Sequence, residues 1–108
     1  MLDRFLGRFF GRKLRRLVDS LPATPDAIAE LLVKEDCYGY RRSNGRCPLA
    51  NYLKKHGVKN VVVGVYTVFD DTSFFNFEIE CKLPKQASEF IKQFDSGKYP
   101  ELRTGTPE

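Results

Sequence analysis

Tryptophan is absent from the chain, and histidine and methionine occur once each. With a single histidine, no glycine-rich phosphate loop and no serine nucleophile elbow, the usual signatures of phosphoryl and acyl transfer are missing. No catalytic residue is assigned, and the protein is read as a non-enzyme that needs no cofactor. No run of 18 apolar residues exists, which excludes a membrane-spanning helix. The N-terminal sequence MLDRFLGRFFGRKLRRL breaks its apolar residues with arginines and offers no signal-peptide core, so a cytoplasmic protein is expected.

Cysteine is scarce and odd in number: Cys37, Cys47 and Cys81. With His56 they are separated by 10, 9 and 25 residues, a spacing without the close ligand pairs of a structural zinc site. Structural thiols without metal are expected. Two other fates stay open, a Cys37–Cys47 bridge around YGYRRSNGR and a Cys47 thiol activated at a helix N-terminus beside Arg46.

The most informative shortage is acid. Residues 37–69 contain six Lys/Arg and no Asp or Glu, and residues 1–18 contain six Lys/Arg against one acid. Residues 19–36 hold five acids and one Lys, whereas residues 70–108 hold eight acids and five bases. The net charge of +4 therefore conceals two basic blocks, each suited to an anionic partner.

The 108 residues, 42% hydrophobic and 13% aromatic, suffice for one globular core. Apolar residues from Leu2 to Leu21 keep to one helical stripe opposite the arginines. Pro22 stops that helix. Thr24-Pro25-Asp26 opens a second as N-cap, first position and first-turn acid, with Ile28, Leu31 and Leu32 inward. A third opens at Pro48, turns Leu49, Tyr52 and Leu53 inward, and closes at Gly57. The period then changes to two: residues 60–69 read as a strand apolar on both faces and covered on both. Asp70-Asp71-Thr72 reads as the turn, and Phe75 to Leu83 as a second strand with one wet face. A last helix after Pro84 buries Ala87, Phe90, Ile91 and Phe94, and Tyr99, Pro100 and Leu102 clasp it onto the sheet. The expected fold is a single small α+β domain of order α-α-α-β-β-α, in which a β-hairpin is packed by helices. Residues 1–21 form a basic amphipathic helix or arm, 24–102 the domain, and 103–108 a frayed tail.

Two surfaces are candidates for function. The first is the mobile, glycine-bearing loop 38–46 with the following helix. There Arg41, Arg42, Arg46, Lys54, Lys55 and Lys59 suit phosphates, while Tyr38 and Tyr40 suit unpaired bases. Nucleic acid is the leading partner on this reading. Helix, turn, helix and hairpin follow in an order similar to a winged helix-turn-helix, with residues 48–57 as the reading helix, but Asp70 and Asp71 at the wing tip would repel phosphate. The second surface is the N-terminal helix, where Phe5, Phe9 and Phe10 lie opposite Arg8, Arg12, Arg15 and Arg16. This suits a protein partner, the role of a small adaptor or inhibitor, or a membrane surface. The same stripe is also the ordinary signature of a core helix. Gly7 and Gly11 each cost such a helix about 1 kcal/mol, so it needs a surface to order it.

CPLANYLKKHG at residues 47–57, taken with LPKQASEFIKQFDSGKYPEL at residues 83–102, resembles a pattern in small bacterial and phage-type proteins of unassigned activity. The resemblance covers about the last 60 residues. It implies a shared core fold and no mechanism.

Overall fold

Punctuating residues set the helix limits. The computed structural model describes residues 12–72 and 77–104. Within them α1 is helical over residues 12–19 and gives way to a turn before Pro22. Helix α2 runs Pro25–Lys34, with the Thr24 hydroxyl oxygen accepting from the Ala27 amide at 3.1 Å. Helix α3 runs Pro48–Lys55 and α4 Lys85–Asp95.

All three of these helices close in the same way, with a left-handed residue just past the C-cap that lets two further amides turn back to the last carbonyls. Gly57 and Gly97 take that position after α3 and α4, at φ 103° and 110°. After α2 the position is held by Asp36 at φ 55°, where the Cys37 amide donates to the Leu32 carbonyl at 2.8 Å. A β-carbon makes this conformation unfavourable, so Asp36 carries a cost that the two glycines do not.

The β region differs from expectation. It is a three-stranded antiparallel sheet in the order β1 (Val61–Val63), β2 (Thr67–Thr72), β3 (Phe77–Lys82). The run expected as one strand folds back at Val65 and Tyr66, with Val63 opposite Val68 and the Gly64 amide donating to the Thr67 carbonyl at 2.8 Å. This two-residue turn lacks the Asn-Gly or Asp-Gly signature that makes hairpins visible in a sequence. Asp70-Asp71-Thr72 is strand, not turn: these residues lie in register with Ile79, Glu78 and Phe77. Val61 and Val63 are buried while Val62 is 37% exposed, so β1 has one open face. Three consecutive valines hide that alternation from any hydropathy pattern.

Val61, Val63, Val68 and Cys81 form the covered sheet face and join one core with Ile28 and Leu32 of α2, Leu49 and Leu53 of α3, and Phe90 and Phe94 of α4. Leu14 and Val18 of α1 belong to the same core and are fully buried. From residue 12 onward the basic helix is therefore built into the domain. The clasp near the C-terminus also lands elsewhere than expected. Leu102, in the short 3-10 turn Pro100–Leu102, packs with α2 rather than on the sheet. Tyr99 stacks on Phe90 with ring centres 5.4 Å apart and donates its hydroxyl to Asp26 at 2.5 Å. Arg103, expected in the frayed tail, pairs with Gly39, and the Thr104 amide donates to the Gly39 carbonyl at 2.8 Å.

Candidate functional site

The loop between α2 and α3 is held on four sides, and so departs from the mobile loop the sequence led us to expect. The Gly39 amide donates to Leu102 at 2.9 Å, and the Val63 amide of β1 donates to the Asn44 carbonyl at 2.8 Å. From α3, the Asn51 side-chain amide donates to the Tyr38 carbonyl at 2.6 Å. From α4, the Asp95 carboxylate accepts the Arg42 amide at 2.9 Å, which fixes Arg42 at φ 56°. Gly39 admits no side chain: a β-carbon there would press on the Arg46 carbonyl oxygen and stand 2.6 Å from the Cys47 carbonyl carbon.

Several of the cations singled out in the sequence complete this frame. Arg41 donates to the Gly97 carbonyl at 3.1 Å, at the negative end of the α4 dipole. Lys54 donates to the Gly45 carbonyl, and Lys55 donates to the Glu35 carbonyl at 2.6 Å. His56 meets the Glu35 carboxylate at 2.7 Å and tilts over the Tyr52 ring. The His56 hydrogen bond, aided by nearby Lys55, holds the Glu35 carboxyl below its ordinary range. Arg42, Arg46 and Lys59 are exposed. Tyr40 is half-buried, its amide donating to the Arg46 carbonyl at 2.9 Å, and the exposed Tyr38 donates its hydroxyl to Asp36 at 3.2 Å. Helix α3, expected as a reading helix, buries Leu49, Ala50, Tyr52 and Leu53 and directs Lys54 and Lys55 to the chain's own carbonyls.

The three thiols are buried and free. Cys47 is the N-cap of α3, its sulfur accepting from the Ala50 amide at 3.3 Å. Burial pushes that thiol up to about 11 despite the helix N-terminus, which answers the activated-thiol alternative. Burial likewise raises Cys37 and Cys81. Among the described residues, no three His, Cys, Asp or Glu side chains stand together as a metal site would require.

Arg12, Arg15 and Arg16 of the N-terminal helix are exposed, whereas Phe5, Arg8, Phe9 and Phe10 lie outside the described residues. Arg15 opens onto an arrangement that the sequence did not suggest. It shares the rim of a cleft of about 560 Å³ with Lys82 at the end of β3 and with Lys85 and Lys92 of α4. The volume suits a small ligand. Tyr66, at the tip of the β1–β2 turn, completes one wall and is 62% exposed. Lys92 sits over its ring, 4.8 Å from the centre. Ser88, only 7% exposed, lines the floor, and Asp19 and Glu89 are the two carboxylates present. Among the described residues none of the four cations forms an ion pair.

The missed signal lay on the outer face of α4. Lys85, Glu89 and Lys92 recur at helical spacing opposite the buried Ala87, Ile91 and Phe94. Compared with family models, curated proteins and solved structures, the chain finds no significant match.

Proposed function

We propose that this is a non-enzymatic nucleic-acid-binding protein that contacts phosphates through the exposed cations Arg42, Arg46 and Lys59, with Arg12, Arg15 and Arg16 of α1. The observation that carries the reading is the rigidity of the loop frame. Hydrogen bonds from α3, α4, β1 and the C-terminal segment hold residues 38–46, so Arg42 and Arg46 project from a fixed backbone. A cation on a fixed backbone loses less freedom on meeting a phosphate than one on a floppy loop. Carbonyl-bound Arg41 and Lys54 support that frame and raise the local potential, while Lys55 supports it with its charge offset by Glu35. Such contacts give affinity and orientation without reading sequence.

Titration of a labelled oligonucleotide at increasing salt tests the reading. If four to six phosphates are neutralised, the logarithmic slope is about −3 to −5, and Arg42→Gln with Arg46→Gln makes it shallower by about 1–2. Failure to bind DNA or RNA at low salt overturns it.

A further inference from the structure

We infer that the cleft framed by α1, the β1–β2 turn and the start of α4 binds one nucleotide unit, with its phosphate among Arg15, Lys82 and Lys85 and its base against Tyr66. The choice of ligand rests on the nucleic-acid reading above, but the site is separate from the loop frame.

Four observations lead there. The cations are drawn from two distant parts of the chain, Arg15 of α1 and the stretch from Lys82 to Lys92, and converge on one cleft. Elsewhere in the molecule Lys55 and Lys98 are ion-paired to carboxylates, and Lys54 is bonded to a carbonyl. The cleft cations have no such partner among the described residues, so positive charge is held there without a counter-charge in contact. Second, Tyr66 is an exposed ring on a tight turn, and its carbonyl accepts the Leu83 amide at 2.9 Å. The tip is therefore tied to the end of β3, and Lys92 rests on the ring. A cation beside a fixed aromatic face matches a ligand that joins an anion to a flat ring.

Third, Ser88 is buried and faces the cleft with a hydroxyl that makes no hydrogen bond among the described residues. It sits in the first turn of α4, whose cap residue Pro84 supplies no side-chain acceptor. That hydroxyl opens onto the cleft and can donate to a phosphate oxygen. Fourth, Asp19 and Glu89 narrow the choice of anion. Two carboxylates beside four cations oppose a dense run of phosphates but accept hydrogen bonds from sugar hydroxyls and base N–H groups. A duplex backbone fits this poorly, and a single nucleotide, free or within a single strand, fits it well.

The test uses the full chain at low salt with four probes: a single-stranded oligothymidylate, the corresponding duplex, thymidine monophosphate and inorganic phosphate. Two cleft variants, Tyr66→Ser and Lys82→Gln with Lys85→Gln, are compared with the loop variant Arg42→Gln with Arg46→Gln. The altered positions are surface positions, and circular dichroism confirms that each variant is folded. We expect the single strand to bind about tenfold more tightly than the duplex, and Tyr66→Ser to weaken it about tenfold. Thymidine monophosphate should bind more tightly than phosphate, and only the cleft variants should weaken it.

Mononucleotide binding without strand binding keeps the cleft and defeats the nucleic-acid reading. Strand binding that ignores both cleft variants, with no mononucleotide binding, defeats the cleft and leaves the loop reading standing. Equal affinity for phosphate and mononucleotide, unchanged by Tyr66→Ser, overturns the inference, as does the absence of binding to any probe.

Discussion

The two groups of cations in this molecule differ in what holds them. Around the loop, Arg41, Lys54 and Lys55 bind carbonyl oxygens of the chain itself, three donors bracing a segment that has no helix or sheet of its own. In the cleft, Arg15, Lys82 and Lys85 have no partner among the described residues, and Lys92 has only a tyrosine ring. The loop has the greater density of charge along the sequence, yet the cleft has the greater share of charge free to meet a ligand. A cation's proximity to others in sequence says nothing of whether folding has already engaged it.

The strongest way to break this contrast is to remove the frame without touching a charge. Gly39→Ala drives a methyl group into the Arg46 carbonyl and the Cys47–Pro48 peptide, all of it backbone with no flexible end to yield. We expect a loss of about 3 kcal/mol or more in chemical denaturation. A near-neutral result would mean that the loop is not the rigid hub described.

Charge removal sharpens the contrast directly. Arg41→Gln and Lys54→Gln should each cost about 1–2 kcal/mol, because each strips a charged donor from a carbonyl inside the fold. Lys82→Gln and Lys85→Gln should stay within about 0.5 kcal/mol. Should the cleft lysines prove the costlier pair, the division between framing and available cations fails.

Acid titration addresses the same frame from its carboxylate side. Glu35 lies below its ordinary range chiefly through the His56 hydrogen bond, and Asp26 chiefly through the Tyr99 hydroxyl and then Lys98. A carboxyl whose folded value is depressed contributes stability above its unfolded value and loses it as pH falls through the folded one. The melting temperature should therefore decline as pH falls through and below the ordinary carboxylate range, and Glu35→Gln or Asp26→Asn should each flatten the decline. The smallest effect is a gain. Asp36→Gly relieves the left-handed strain after α2 at the expense of an exposed hydrogen bond from Tyr38, for a net stabilisation of about 0.5 kcal/mol seen as a slightly raised denaturation midpoint.

Much of the helical part was legible in the sequence because its limits are chemical: Thr24-Pro25, Pro48 and Gly57, Pro84 and Gly97 each act through their own backbone preferences. The sheet was less legible. Gly64-Val65-Tyr66 has no turn signature, and Asp70-Asp71 has low strand propensity overridden by pairing, Asp70 with both neighbouring strands and Asp71 with β3. The cleft was hidden for a different reason. Arg15, Tyr66 and Lys82 are far apart in the chain, and Lys85 and Lys92 sit in the block whose net charge is negative. Only the packing of α1 and α4 brings them together.

The capping thiol of Cys47 has a practical consequence. With all three native sulfurs buried and burial holding each one towards its protonated form, the chain starts out nearly silent to alkylating reagents at neutral pH. A cysteine placed at the rim of the cleft, as in Glu89→Cys, would then be the single fast-reacting sulfur. A fluorophore could be attached there without first removing the native cysteines, and without losing the cap that starts α3.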